Sequence, residues 1–387
     1  MRKRRSSVVD IPIEKRRRST RLHDYKRPWF DLPVELVECI MGKLLFTDQV
    51  CFRSVCKRWR SVRRVKPAKQ IPWLLIWHNK SFASCKLYDP VYKKTLTIHN
   101  TCLKDFPYSG AVIWSSIKGW LLISFHDNSS FILYSPFTNE IIQFPPFDHC
   151  IKDFYTSAAM FSSPPSSPDC IIFIKLHGRN STQSIFIKTC RPGDSSWTSK
   201  NFNINQLFLD SNVGVYNDGF FYCINNNIRI LGTYNVALQT WTVLDIPSTL
   251  PGNVFVYHRR LVEYGGELLS VPYGDNPETI LRLPRTQESW VQFDSLGDRV
   301  IFISNTIGLV SDSAPKSGIK NGVYSFSDGK PKYYSFKSRK THYDRRIYKA
   351  ITTEDSVMIP ICDKNFCNMT WIEPIVQEIE DQSSRSV

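Results

Sequence analysis

Leu87-Tyr88-Asp89-Pro90 and Leu133-Tyr134-Ser135-Pro136-Phe137-Thr138-Asn139 echo one another forty-six residues apart. Each is followed by a polar turn and a short apolar run, Leu96 to Ile98 in the first case and Ile141 to Phe144 in the second. An interval of this length holds three or four short strands with their turns, the unit of a β-propeller blade. Later copies carry a tryptophan strand instead: Trp197-Thr198, Trp241-Thr242-Val243 and Trp290-Val291-Gln292 follow at separations of forty-four and forty-nine residues. A weaker sixth copy ends at Tyr333-Tyr334-Ser335-Phe336. Between the copies lie further strand-like pieces, among them Gly119 to Phe125, Ile171 to Leu176, Gly219 to Ile224, Glu267 to Val271 and Val300 to Ser304. The fold class predicted is therefore mainly β, a propeller of about six blades over residues 71–374. Seven blades are expected if the segment from Ser356 to Trp371 joins Ile71 to Trp77 to close the ring. A β-sandwich would explain the strand alternation but not the recurrence. Aromatic residues at equivalent places in successive blades read as packing between sheets, since each buries a large area there.

Before residue 71 the periodicity is helical. Pro33 suits a first helical position, where its missing N–H satisfies nothing, and Glu35 favours the positive end of the helix. Leu36, Ile40 and Leu44 recur every four residues beside Val37 and Met41, predicting an apolar stripe on a helix over about 33–45. Phe46, Thr47 and Asp48 interrupt the pattern, and Thr47 or Asp48 can cap a second helix. Cys51, Val55, Trp59 and Val62 then follow at spacings of four, four and three, with Arg53, Lys57, Arg60 and Arg64 aligned on a basic opposite face. Two helices of this size bury too little surface against each other to offset their entropy, so their apolar faces call for a further partner.

The Leu32-Pro33-x-Glu35-Leu36 start, with Val55-Cys56-Lys57-Arg58-Trp59-Arg60 some twenty residues on, resembles the F-box. That resemblance implies a non-enzymatic substrate receptor: the F-box, residues 29–66, docks on a Skp-type adaptor and through it on a cullin, and the repeat domain holds an unknown target protein. Carried over, Leu32, Pro33, Leu36, Ile40, Leu44, Val55 and Trp59 would lie at or directly beneath the adaptor interface. Residues 29–374 as a whole resemble the plant F-box proteins with a kelch-like or DUF295-type β-propeller. The motifs behind this are Gly119-Trp120-Leu121-Leu122, the run from Leu133 to Asn139, the Ser/Pro loop from Ser162 to Cys170, and Trp371-Ile372-Glu373-Pro374. Of a kelch repeat's glycine pair and tryptophan, only Gly265-Gly266 with Trp290 comes close.

The formal net charge of +15 is unevenly placed. Residues 1–28 carry eleven basic side chains against three acids, and residues 29–66 carry eight against four. The remaining 321 residues hold 31 basic and 28 acidic side chains, a nearly neutral surface that argues against nucleic acid. Lys3, Arg4, Lys15, Arg16, Arg17 and Arg18 form two clusters in the basic, disordered 1–28 tail and resemble a bipartite nuclear import signal, so the expected location is nucleus, cytoplasm or both. Residues 375–387 read as a second disordered tail. The absence of an apolar leader or long apolar run argues against secretion and against a membrane.

The eleven cysteines, an odd number without a Cys-x-x-Cys, read as reduced thiols, and Cys362 and Cys367 lack histidines to complete a zinc set. No metal or cofactor is expected. Phosphate-binding, dinucleotide and nucleophile-elbow motifs are absent. His126 with Asp127, and Asp148 with His149, are sequence neighbours that a strand would point to opposite faces. The two Ser-Pro steps between Ser162 and Pro168 fit an exposed loop better than a phosphorylation switch. The alternatives carried are a propeller-based small-ligand sensor or enzyme, and a nuclear scaffold with a regulatory F-box.

Overall fold

The computed structural model describes residues 28–62, 65, 68, 70–77, 81–100, 102–107, 110–125, 130–147, 154–178, 181–204, 214–224, 229–247, 259–273, 279–285, 289–304, 307–312, 319–327, 330–343 and 369–374. The chain divides into two units, Met1–Val65 and Lys66–Val387.

In the first unit a 3-10 turn (Pro28–Asp31) leads into α1 (Val34–Met41). Pro33 stands one position earlier than expected: its ψ of 146° is extended, and its carbonyl receives the amides of Leu36 and Val37 at 3.1 and 3.2 Å. The helix stops at Met41, short of residue 45, because the following amides of Lys43 and Leu44 bond three residues back and tighten the last turn. The expected second helix is two: α2 (Phe46–Ser54) and α3 (Lys57–Ser61). Between them Cys56 is extended (φ −156°), and its Sγ accepts the Trp59 amide at 3.4 Å as a cap. The residue flanking α2 is Leu45, so Thr47 and Asp48, the expected caps, lie within its first turn instead.

The break redistributes the expected faces. Trp59 and Val62 turn inward while Cys51 and Val55 are exposed. Val37, Met41 and Val62 form the core, and Leu32, Phe52, Trp59 and Val65 pack against it half-buried. The Phe52 and Trp59 rings stack with centroids 4.1 Å apart. Side chains tie the helices together. Gln49 Nε2 donates to the Met41 carbonyl at 2.7 Å, Arg58 to Leu32 O at 2.9 Å, and Arg53 to the carbonyls of Arg60 and Val62 at 3.3 and 3.2 Å. Part of the basic row therefore caps helix ends, where a cation meets the free carbonyls favourably. Arg64 lies outside the described residues.

The second unit is a six-bladed propeller, its strands forming six sheets. The first blade runs outward from β25 (Met369–Ile372) through β1 (Trp73–Trp77) and β2 (Ser84–Asp89) to β3 (Lys94–His99). The second is β4 (Val112–Ile117), β5 (Trp120–Phe125), β6 (Ser130–Ser135) and β7 (Glu140–Gln143). The third is β8 (Phe154–Phe161), β9 (Ile172–Gly178), β10 (Ser181–Cys190) and β11 (Thr198–Asn203), and the fourth is β12 (Gly214–Asn217), β13 (Phe220–Ile224), β14 (Ile230–Asn235) and β15 (Thr240–Asp245). In the fifth, β16 (Arg259–Tyr264), β17 (Glu267–Pro272), β18 (Leu281–Leu283) and β19 (Val291–Gln292) follow in order. The sixth departs from the scheme: β21 (Gly308–Asp312) lies innermost, β20 (Arg299–Ile303) pairs parallel with β22 (Gly322–Ser327), and β23 (Lys330–Ser335) and β24 (Lys340–Tyr343) lie outside. The inner strands β25, β4, β8, β12, β16 and β21 neighbour one another in that order.

The C-terminal segment does join residues 73–76, as one of the two sequence alternatives supposed, with Trp73 opposite Ile372 and Ile76 opposite Met369. It makes no seventh blade. The first blade draws only three strands from its own stretch of chain, so the returning strand fills its inner place. Trp371 is fully buried, 4.8 Å centroid to centroid from Phe302 of the sixth blade, and Glu373 Oε2 accepts the Lys118 amide of the second blade at 2.8 Å. Trp371-Ile372-Glu373-Pro374 is thus the closure of the ring, and its strand pairs the inner edge of β1.

The repeat that announced the propeller is a turn. Tyr88, Tyr134, Tyr234 and Tyr334 each precede a side chain that bonds back to the chain: Asp89 to Val91 N at 2.8 Å, Ser135 to Thr138 N at 3.4 Å, Asn235 to Leu238 N at 2.9 Å and Ser335 to Ser338 N at 3.5 Å. Five residues after each tyrosine, Lys93, Asn139, Gln239 and Arg339 take φ of 56°, 55°, 53° and 51°. Four blades, the first, second, fourth and sixth, therefore carry this turn, and in the fourth Trp241 lies on the strand that follows it.

Candidate functional site

The apolar residues of the first unit divide between its core and solvent. Trp29, Val34, Leu36 and Val55 are 61%, 45%, 50% and 61% exposed, an unusual fraction for large apolar side chains outside an interface. Pro33 is exposed beside them. Leu32 and Trp59 belong instead to the packing around Val37 and Met41, and Ile40 and Leu44 are half-buried. The seven residues singled out from sequence therefore separate into three on the surface (Pro33, Leu36, Val55), two supporting ones and two intermediate. Trp29 and Val34 were missed. Their signal is a tryptophan and a valine flanking the Leu-Pro step, off the four-residue row. Lys57, Arg58 and Arg60 are exposed on α3, so basic groups share the surface of this unit.

Lys3, Arg4, Lys15, Arg16, Arg17 and Arg18 lie outside the described residues, as do His126, Asp127, Asp148, His149, Cys362, Cys367 and residues 375–387.

Inside the propeller, tryptophans serve packing. Trp290 is fully buried, and Trp197 packs among Phe131, Phe144 and Phe147 while its indole N–H donates to Pro145 O at 2.6 Å. The Ser/Pro loop is a tight turn: Ser162 Oγ donates to Asp169 O at 2.9 Å and accepts the Ile171 amide at 3.0 Å. Burial raises the Cys85 thiol to about 12 and the Cys170, Cys190 and Cys223 thiols to about 11, so these cysteines stay protonated and unreactive. Among the described residues no group of His, Cys, Asp or Glu could hold a metal ion. Nor, among them, is any helix long and apolar enough to cross a membrane.

Four buried cationic or basic side chains among the described residues, Lys175, His177, Arg259 and Arg260, stand apart from this apolar interior. His177 on β9 is fully buried beside Lys175, with its ring centroid 5.8 Å from that of Tyr155 and no hydrogen bond at either nitrogen. Burial, and then the charge of Lys175, lowers it to about 4, so it is neutral at physiological pH. Arg259 and Arg260 stand side by side at the start of the inner strand β16, both buried. The signal for them was legible: two consecutive arginines run directly into Leu261-Val262 in a strand context.

Residues 86–349 match the family model of the KIB1-4 β-propeller, and residues 29–68 match that of the F-box domain. The chain is similar to the F-box/kelch-repeat protein At1g57790 of Arabidopsis thaliana, 30% identical over 329 residues that span 82% of this chain and 89% of that one. The F-box protein At3g56470 of the same plant is 27% identical over 307 residues, 77% of each chain. A third Arabidopsis thaliana relative, the F-box protein At1g49360, is 28% identical over 286 residues, covering 71% of this chain and 56% of its own.

Proposed function

Because the chain belongs to the plant F-box proteins that carry a KIB1-4 β-propeller, we propose that it is the substrate-receptor subunit of a Skp-cullin-F-box ubiquitin ligase. The observation that carries this is the exposed apolar group of Trp29, Val34, Leu36 and Val55 on a helical unit whose own core is only a few side chains. Pro33, Leu36 and Val55 would touch a Skp-type adaptor. Leu32 and Trp59 would hold the presenting helices in place from beneath, with Ile40 and Leu44 at the margin. The propeller would bind the target protein. No covalent step falls to this chain, and the rate gain at the ligase comes from effective concentration and orientation of the bound target.

Co-expression of the full chain with a Skp-type adaptor should yield a complex that survives elevated salt, as apolar contacts do. A Leu36→Asp, Val55→Asp double variant should lose the adaptor while its propeller keeps the same β-rich circular dichroism and thermal transition. If the wild-type chain and adaptor do not co-purify, the proposal fails. For residues 1–28 we propose nuclear import through the two basic clusters. A fluorescent protein fused to that segment should accumulate in nuclei, and replacing Lys15, Arg16, Arg17 and Arg18 with Ala should return it to an even distribution.

A further inference from the structure

Four turns of the propeller share one geometry and differ in charge. Each joins the outermost strand of a blade to the strand before it, and in register Asp89 pairs with Lys94, Ser135 with Glu140, Asn235 with Thr240 and Ser335 with Lys340. The six residues so bounded hold two cations in the first blade (Lys93, Lys94) and three in the sixth (Lys337, Arg339, Lys340). The second blade has only Glu140 there, and the fourth has no charge at all. All five cations are exposed, and none forms an ion pair with a described residue. Asp89, the one acid within the two basic turns, is buried, and its Oδ1 accepts the amides of Val91 and Tyr92 at 2.8 and 3.2 Å.

The two basic turns are neighbours on one face of the ring. Trp371 packs on Phe302 with ring centroids 4.8 Å apart, and Thr370 Oγ1 lies 3.1 Å from Ser304 Oγ, so the first and sixth blades adjoin. The second contact joins the start of β25 to the hairpin that enters β21, and these inner strands therefore run the same way. By their pairings β2 follows the direction of β25 and β23 that of β21, so both turns leave on the face where the inner strands end. The turn itself does not call for these charges. Lys93 and Arg339 take left-handed φ of 56° and 51°, which the second and fourth blades fill with Asn139 and Gln239 at 55° and 53°. Asparagine enters that region more readily than a long side chain. Like charges on neighbouring turns repel one another and add nothing to the packing, so what they fit is a partner of opposite sign.

We propose that the turn face of the sixth and first blades is a docking surface for an acidic segment of the target protein, whose carboxylates pair with Lys93, Lys94, Lys337, Arg339 and Lys340. The identity of the partner as a target rests on the substrate-receptor reading; the patch supplies its chemistry. The domain around the patch is close to neutral, so the attraction is local and favours a short acidic stretch over a long polyanion such as nucleic acid. Exposed pairs of this kind are individually weak and associate fast under charge steering, which suits capture and release of a target.

The test is fluorescence anisotropy of a labelled Glu/Ser peptide, its Gln/Ser counterpart and a single-stranded oligonucleotide of equal charge, each titrated with the full chain. The Glu/Ser peptide should bind saturably and the Gln/Ser peptide should not. Its affinity should fall as ionic strength rises past about 0.1 M, where the screening length is about 10 Å. Giving both basic turns the fourth blade's residues (Lys93→Gln, Lys94→Thr, Lys337→Ala, Arg339→Gln, Lys340→Thr) should weaken the peptide at least tenfold with an unchanged Tm. Should that variant not fold, Lys94→Thr with Lys340→Thr, which leaves the left-handed positions alone, should still lower the affinity severalfold. The basic clusters in residues 1–28 are the competing site, and a chain with Lys15, Arg16, Arg17 and Arg18 replaced by Ala should bind the peptide as the wild type does. So should the Leu36→Asp, Val55→Asp variant, so a failure of adaptor binding and a failure of this surface are told apart. No saturable binding of the Glu/Ser peptide, undiminished binding by the turn variants, loss in the Lys15 to Arg18 variant instead, or tighter turn-dependent binding of the oligonucleotide overturns the proposal.

Discussion

His177 shows what a single side chain can do to the stability of this fold. In the unfolded chain its imidazole titrates near the ordinary value, whereas in the folded propeller burial holds it neutral down to about pH 4. Between those two values the unfolded state binds more protons than the native one. Stability is therefore complete above about pH 6.5 and declines as the pH falls through this window, by on the order of 2 kcal/mol. Chemical denaturation between pH 4 and 7 should show that slope, and His177→Phe, which can keep the stack on Tyr155, should flatten it. Gly266 illustrates backbone constraint instead. With Gly265 it forms the two-residue turn between β16 and β17, at φ of 61° and 86°, the pattern of a type I′ hairpin. An added Cβ at Gly266 would collide with the Arg285 guanidinium, which donates to its carbonyl at 2.7 Å. Gly266→Ala should lower the stability by roughly 2 kcal/mol, read as a lower denaturation midpoint with no change in slope. The glycine pair stood out in the sequence, but as a repeat signature; its role as a turn was readable only with the strands on either side in register.

At the scale of elements, α2 and α3 show how local rules are overruled. The four-four-three spacing of Cys51, Val55, Trp59 and Val62 describes one helical face, yet the chain breaks at Cys56 with neither glycine nor proline to announce it. The break lets Trp59 stack on Phe52 and lets Arg53 reach the last carbonyls of α3, gains that an unbroken helix would forfeit. Trp59→Ala should cost about 2–3 kcal/mol, less than a fully buried tryptophan because the ring is half-exposed. It should weaken adaptor binding together with the thermal stability of this unit, whereas Leu36→Asp should affect binding alone; parallel pull-down and hydrogen-exchange measurements separate the two. The strand β25 is the other decisive element. Trp371→Ala removes a side chain with no solvent exposure from between the first and sixth blades and should cost about 3–5 kcal/mol by equilibrium denaturation.

At the largest scale, the second unit is a ring whose closure depends on residues almost three hundred positions apart, Trp73 and Ile372 among them. Truncation before Met369 should expose the inner edge of the first blade and replace one cooperative transition with a broad or early one in differential scanning calorimetry. Much of this architecture was determined by the sequence alone. The forty-four to forty-nine residue recurrence, the strand-forming runs and the change of periodicity before residue 71 follow from local turn chemistry and alternation, which act within a few residues and so leave a visible pattern. The Leu-Pro-x-Glu-Leu start and the Trp59 string likewise identified the helical module. What only the tertiary structure decided depends on distant partners. The count of six blades required knowing that the C-terminal strand completes the first. The separation of Leu36 and Val55 from Leu32 and Trp59 required the fold of three helices around Met41. The burial of Arg259 and Arg260 required the packing of β16 between its neighbours. Spacing along a chain reports which face a side chain takes, but burial, closure and electrostatic imbalance are set by whatever the other face of the fold brings against it.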